Sequence, residues 1–218
     1  MNTPRADRLV ERISHGATDG DANELLAEVY NGYPVTNLRQ LLHSEEENAI
    51  KAGVWIASEL GEIARPLLSE ISRLLRHSLR YVRFCALDAV LLIAFATDGE
   101  VIAEAIRLLD DADEAVRWKT MHFLSKATPN QLRSSLPYTT DIRMAALVKW
   151  LLDATSARRL SDVLAAIDDP ERRKRFVAAA AAARMSDHTL APLQQAASSR
   201  DLERWDADGE RADRSRDR

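Results

Sequence analysis

At 218 residues with 46% apolar side chains, the chain is long enough for one real core or one short solenoid and too apolar for a disordered protein. Seven Gly and seven Pro among abundant Ala and Leu favour helices over strands, and the single cysteine, Cys85, excludes an internal disulfide and fits a reducing compartment. The net charge of −4 is gathered at the front, where residues 1–77 hold 8 Lys/Arg against 12 Asp/Glu, a field that repels nucleic-acid phosphates and favours a basic partner.

Residues 1–20 are predicted as an irregular segment or a short helix, and their first 15 carry charges throughout, unlike a signal peptide. Asp21 to Tyr30 and Val35 to His43 read as a capping pair around the turn Asn31-Gly32-Tyr33-Pro34. Ser44-Glu45-Glu46-Glu47 has the form of a capping box and opens a helix to about Leu60. Gly61 suits the left-handed position past that end, and a partner helix follows to about Arg76. From Ser78 to Ala96, Val82, Cys85, Ala86, Ala89, Ile93 and Ala96 recur at helical steps, and Leu87, Val90, Leu91 and Leu92 widen the stripe. Such a helix belongs in the middle of a stack. Its uncharged stretch Ala89 to Ala96 is far shorter than the roughly 20 residues that span a bilayer.

Thr97-Asp98-Gly99-Glu100 restarts a helix to Leu109, and Asp113 to Ala127 begins the next pair. Thr128-Pro129-Asn130-Gln131 joins an N-cap, a first-turn proline and a glutamine at the third helical position. Asp141 to Ala154 and Ser156 to Ile167 form a shorter pair. Asp169-Pro170 starts a long helix to Met185, and Ser186 to Ser198 closes the array. Residues 199–218 alternate Asp, Glu and Arg around a lone Trp205 and read as a disordered tail.

An aliphatic-basic phrase recurs through these elements: Ile50-Lys51, Val82-Arg83, Val116-Arg117 and Ile142-Arg143. The basic residues lie 32, 34 and 26 apart, with Arg173 another 30 on. Periods of this size mark stacked helical pairs, because no single pair buries its apolar face alone. Glu47/Lys51, Asp113/Arg117 and Asp169/Arg173 add acid-to-base pairs at i,i+4 near helix starts. The pattern resembles HEAT repeats, most closely in Asp-Glu-Ala-Val-Arg-Trp-Lys-Thr-Met at 113–121 and Tyr-Val-Arg-Phe-Cys-Ala-Leu at 81–87. The likeness is good over 44–136 and weaker from 141 to 198. It implies an all-α, right-handed α–α superhelix of about five to six helical pairs over residues 21–198.

Chemistry-bearing motifs are sparse. The five histidines share no spacing that sets two on one helix face, and no Cys-x-x-Cys, EF-hand or Gly-rich phosphate loop occurs. Cys85 lies on an apolar stripe and reads as an inert core thiol. The run Arg172-Arg173-Lys174-Arg175 reads as a solvated helix end, with a patch for an acidic partner as the alternative. HEAT-like proteins mostly serve as binding surfaces, some as bacterial immunity proteins that neutralise toxins and some as regulatory scaffolds for enzymes. Others are DNA glycosylases for alkylated purines, for which Asp88, Arg83, Arg117 and Trp118 would sketch the Asp, Arg and Trp set. Bilin lyases are a further enzymatic relative, and nothing in the sequence points to a pigment. A duplex needs several phosphate contacts from Lys and Arg, and the front of this chain is acidic.

The expectation is therefore a cytoplasmic, non-catalytic protein-binding module with no cofactor, metal, nucleic-acid or membrane partner. Its partner is another protein, basic in character. The candidate contact residues are Tyr33, Glu46, Glu47, Arg83, Asp88, Arg117 and Trp118.

Overall fold

The computed structural model describes residues 4–16 and 19–185. The expected closing helix at 186–198, the tail, His188 and Trp205 lie outside the described residues. Among those described, every regular element is helical, and no helix is long and apolar enough to cross a membrane. The chain divides into two compact units, Met1–Ala105 and Ile106–Arg218.

The N-terminal unit contains α1 (Pro4–Ser14), α2 (Asp19–Tyr30), α3 (Arg39–Leu42), α4 (Glu47–Glu59), α5 (Leu68–Leu74) and α6 (Arg80–Ile93), with α7 (Gly99–Arg107) at its close. Short 3-10 segments, Val35–Leu38 and Gly61–Leu67, lead into α3 and α5. Helices α2, α4 and α6 stack in order, while α3 and α5 with their 3-10 segments lie side by side as a second layer. An ion pair from Arg39 to Glu70 (2.7 Å) ties α3 to α5 across that layer. The unit is thus all-helical, with its helices packed on one another, as expected of the fold class. Within residues 1–20, expected as an irregular segment or a short helix, lies α1, which packs on α2, α3 and α4 and buries Ala6, Leu9, Val10 and Ile13.

Local signals set most boundaries. Gly61 takes φ +54° past the end of α4, as its lack of a side chain permits. The expected continuous partner helix is interrupted: Gly61–Leu67, with Pro66 inside it, winds as 3-10, and α5 begins only at Leu68. Two capping boxes are displaced. The helix after Ser44 starts at Glu47, and Ser44 Oγ accepts from the Glu46 N–H (3.1 Å) in a local turn. The helix after Thr97 starts at Gly99. The third box is present in full: Thr128 Oγ1 accepts from Gln131 N–H (3.2 Å), and Gln131 Oε1 from Thr128 N–H (2.6 Å).

The C-terminal unit contains α8 (Glu114–Lys126), α9 (Pro129–Ser135), α10 (Ile142–Ser156), α11 (Leu160–Ile167) and α12 (Arg172–Met185). Its hub is α12, which packs against α8, α10 and α11. Phe176 to Ala182 are all buried, so this helix is covered on every side. The alanine run makes that possible, since small side chains let neighbours approach from all directions. Sequential stacking would lay α10 along α8. Here α12 takes that flank, so the order of this unit departs from the simple recurrence.

Candidate functional site

Three helices carry an arginine as their fourth residue, and each guanidinium turns back onto the chain that leads into its own helix. Arg83 Nη1 donates to the His77 and Ser78 carbonyls (2.8 and 2.8 Å). Arg117 Nη1 donates to Asp111 and Ala112 (2.7 and 2.9 Å), and Arg175 Nη1 to Asp169 and Pro170 (2.8 and 3.0 Å). Carbonyls in a tight turn lack a helix-ladder partner and need a donor, and a charged donor makes the stronger bond. The repeated arginine thus fastens its own turn.

Helix start, not the aliphatic-basic phrase, sets this register. Val82 and Val116 are third residues and fully buried, and Met144 holds the same place in α10. Ile142, the aliphatic residue ahead of Arg143, is the first residue of α10 and is 85% exposed. Ile50 occupies the fourth place of α4, so Lys51 falls one later and pairs with Glu47. In α12 the fourth residue is Arg175, and Arg173 has another task. It bridges Asp110 (2.6 Å) and Asp141 (2.8 Å), the latter also capping α10 through the Arg143 and Met144 N–H groups. The Met144 N–H and Arg173 hold the Asp141 carboxyl below its usual range. Lys174 pairs with Asp169 (2.6 Å). Three of the four cations expected as a solvated helix end are therefore bound within the C-terminal unit.

A second cluster joins residues with no local pattern between them. Arg65 Nη1 donates to Asp98 Oδ2 (2.6 Å) and to the Ile93 carbonyl (2.9 Å), and Nη2 donates to Asp98 Oδ1 (3.0 Å). Asp98 Oδ2 also accepts from the Phe95 N–H (2.6 Å), and the guanidinium lies 4.6 Å from the centre of the Phe95 ring. Burial raises the Asp98 carboxyl, but Arg65 and the Phe95 N–H outweigh it and leave the group below its ordinary value.

The predicted contact residues scatter across these arrangements. Tyr33 is 4% exposed, and its hydroxyl donates to Asp7 of α1 (2.8 Å), so it holds α1 in place. Glu46 and Glu47 are exposed where α4 begins, and Glu47 lies near enough to His77, just ahead of α6, to act on its titration. Arg83 and Asp88 are half-buried on α6, in the same unit. Arg117 and Trp118 belong to α8 of the other unit, where Trp118 meets Phe176 edge to face at 6.2 Å. Its buried Nε1 has no hydrogen-bond partner. Cys85 is a buried thiol. Among the described residues, no group of three or more His, Cys, Asp or Glu side chains is placed to hold a metal ion.

What the N-terminal unit offers chemically is fixed surface: acids at the helix-start edge and, at the opposite edge, the Arg65 cluster. Spacing along the chain reveals the first, through Glu46 and Glu47. It cannot reveal the second, because Arg65 and Asp98 meet only through packing. No family model, curated protein or solved structure matches this chain.

Proposed function

We propose that this chain is a HEAT-like α-solenoid that works in the cytoplasm as a non-catalytic protein-binding module, with a basic protein as its partner. The observation that carries this reading is the layering of α2, α4 and α6 over α3 and α5, with Glu46 and Glu47 exposed where α4 begins. Helices packed this way present a surface that needs little ordering on binding. An acidic surface steers a basic partner and sets register more than it adds raw affinity. An immunity protein that neutralises a basic toxin is the concrete form this chemistry favours.

The test is affinity capture from the source cells with full-length protein, followed by assays of the captured protein and of duplex DNA at physiological salt. The proposal expects one dominant basic partner and no DNA affinity. Salt-sensitive DNA binding with release of an alkylated base, lost in Asp88→Asn, would replace it with the glycosylase reading.

A further inference from the structure

Helices α2, α4 and α6 end together on one edge of the N-terminal unit, away from the edge where Glu46 and Glu47 lie. The Tyr30 hydroxyl, at the end of α2, donates to the Glu59 carbonyl at the end of α4 (2.7 Å). Arg65, just past α4, donates to the Ile93 carbonyl at the end of α6 (2.9 Å). Exposed apolar side chains collect here: Tyr30 is 57%, Ile63 44%, Leu92 48% and Phe95 51% exposed. The unit has only one other large apolar side chain exposed among its described residues, Tyr81. Tyr30, Ile63 and Phe95 follow one another at 33 and 32 residues, one for each successive helix end. Singly exposed apolar residues are ordinary; a row gathered on one edge is not.

The row is held in place and set in negative surroundings. Phe95 lies against the Arg65 guanidinium, which Asp98 fixes with two hydrogen bonds. That pairing neutralises the cluster's own charge. Glu59 and Glu62, just before Ile63 in the chain, are exposed and have no cationic partner among the described residues. The C-terminal ends of α2 and α4, joined by the Tyr30–Glu59 bond, add partial negative charge, while Arg65 offsets that of α6.

We propose that this edge is a docking site for a basic segment of a partner protein. An aliphatic or aromatic residue of that segment rests on Ile63 between Tyr30 and Phe95, and neighbouring Lys or Arg side chains meet Glu59, Glu62 and the helix ends. A second copy of this chain is the poorer occupant, because a two-fold contact would set Glu59 and Glu62 against their own counterparts. The site is separate from the Glu46 and Glu47 edge and stands or falls independently of it.

The test uses full-length protein at physiological salt and a fluorescein-labelled peptide of leucines spaced between lysines, with a Glu/Leu peptide of equal length as control. Polarisation should show binding of the Lys/Leu peptide only. Both Ile63→Ser and the double variant Glu59→Gln/Glu62→Gln should weaken it at least tenfold, while Glu46→Gln/Glu47→Gln should change it less than twofold. All of these positions are exposed, and unchanged melting curves confirm folding. Absence of peptide binding, equal loss from both acid pairs, or no effect of Ile63→Ser overturns the assignment. So does sedimentation showing a dimer that Ile63→Ser abolishes.

Discussion

His77 holds the turn ahead of α6 through its neutral ring, with the Leu79 N–H donating to Nδ1 (3.2 Å). Burial, and then the nearby Arg83, push this imidazole below its ordinary value, against a smaller opposing pull from Glu47. The unfolded chain therefore takes up the proton first as pH falls. Stability from this group is complete above roughly pH 6.5 and declines below it. Denaturant unfolding of the wild-type protein between pH 7.5 and 5.5 should show that decline. His77→Asn, whose Oδ1 accepts the same N–H without titrating, should flatten it. Arg158 shows why another boundary stayed hidden from the sequence. It follows α10 at φ +49°, a place that suits glycine, and the Arg159 N–H closes the turn onto Ala154 (3.0 Å). No glycine marks the turn, so α10 reads as ending at Ala154 when it runs to Ser156. Arg158→Gly should relieve about 1 kcal/mol of strain and raise Tm.

The elements themselves were largely legible where one face is apolar and the cap is chemically complete. Thr128 with Gln131, Gly61 and the stripe of α6 from Val82 to Ile93 act as their residue types predict, whereas Leu92 is exposed and Ala96 falls beyond the helix. Legibility failed where the signal lies in three dimensions. Gly53 reads as an ordinary helical residue, yet a Cβ there would meet Leu41 Cβ at 2.8 Å, because α3 crosses α4 at that point. Gly53→Ala should cost about 1–3 kcal/mol by forcing the two helices apart, read as a lower urea midpoint at unchanged slope. The central role of α12 was equally hidden, since a run of alanines buried on all sides has no polar face to set its orientation. Spacing singled out Arg83 and Arg117 but pointed to Arg173 where the structure uses Arg175, and the use of these arginines was not visible. Arg117→Met keeps the apolar stem and loses the bonds to Asp111 and Ala112, and should destabilise by about 1–3 kcal/mol. A change of partner affinity at unaltered stability would assign Arg117 to the binding surface instead.

At the scale of the molecule, the same chain uses two kinds of helix packing. The N-terminal unit stacks its pairs in sequence order, while the C-terminal unit gathers around α12. Charge follows that division: residues 1–77 carry the acidic excess, and the cationic run that starts α12 is tied down by Asp110, Asp141 and Asp169. The proposed partner-binding surface is the acidic one. Titration calorimetry of the captured partner against wild-type protein and the Glu46→Lys/Glu47→Lys variant, matched in Tm, tests this most directly. The account predicts at least tenfold weaker binding by the variant and a shallower dependence on salt. Equal affinity and equal salt dependence would contradict it.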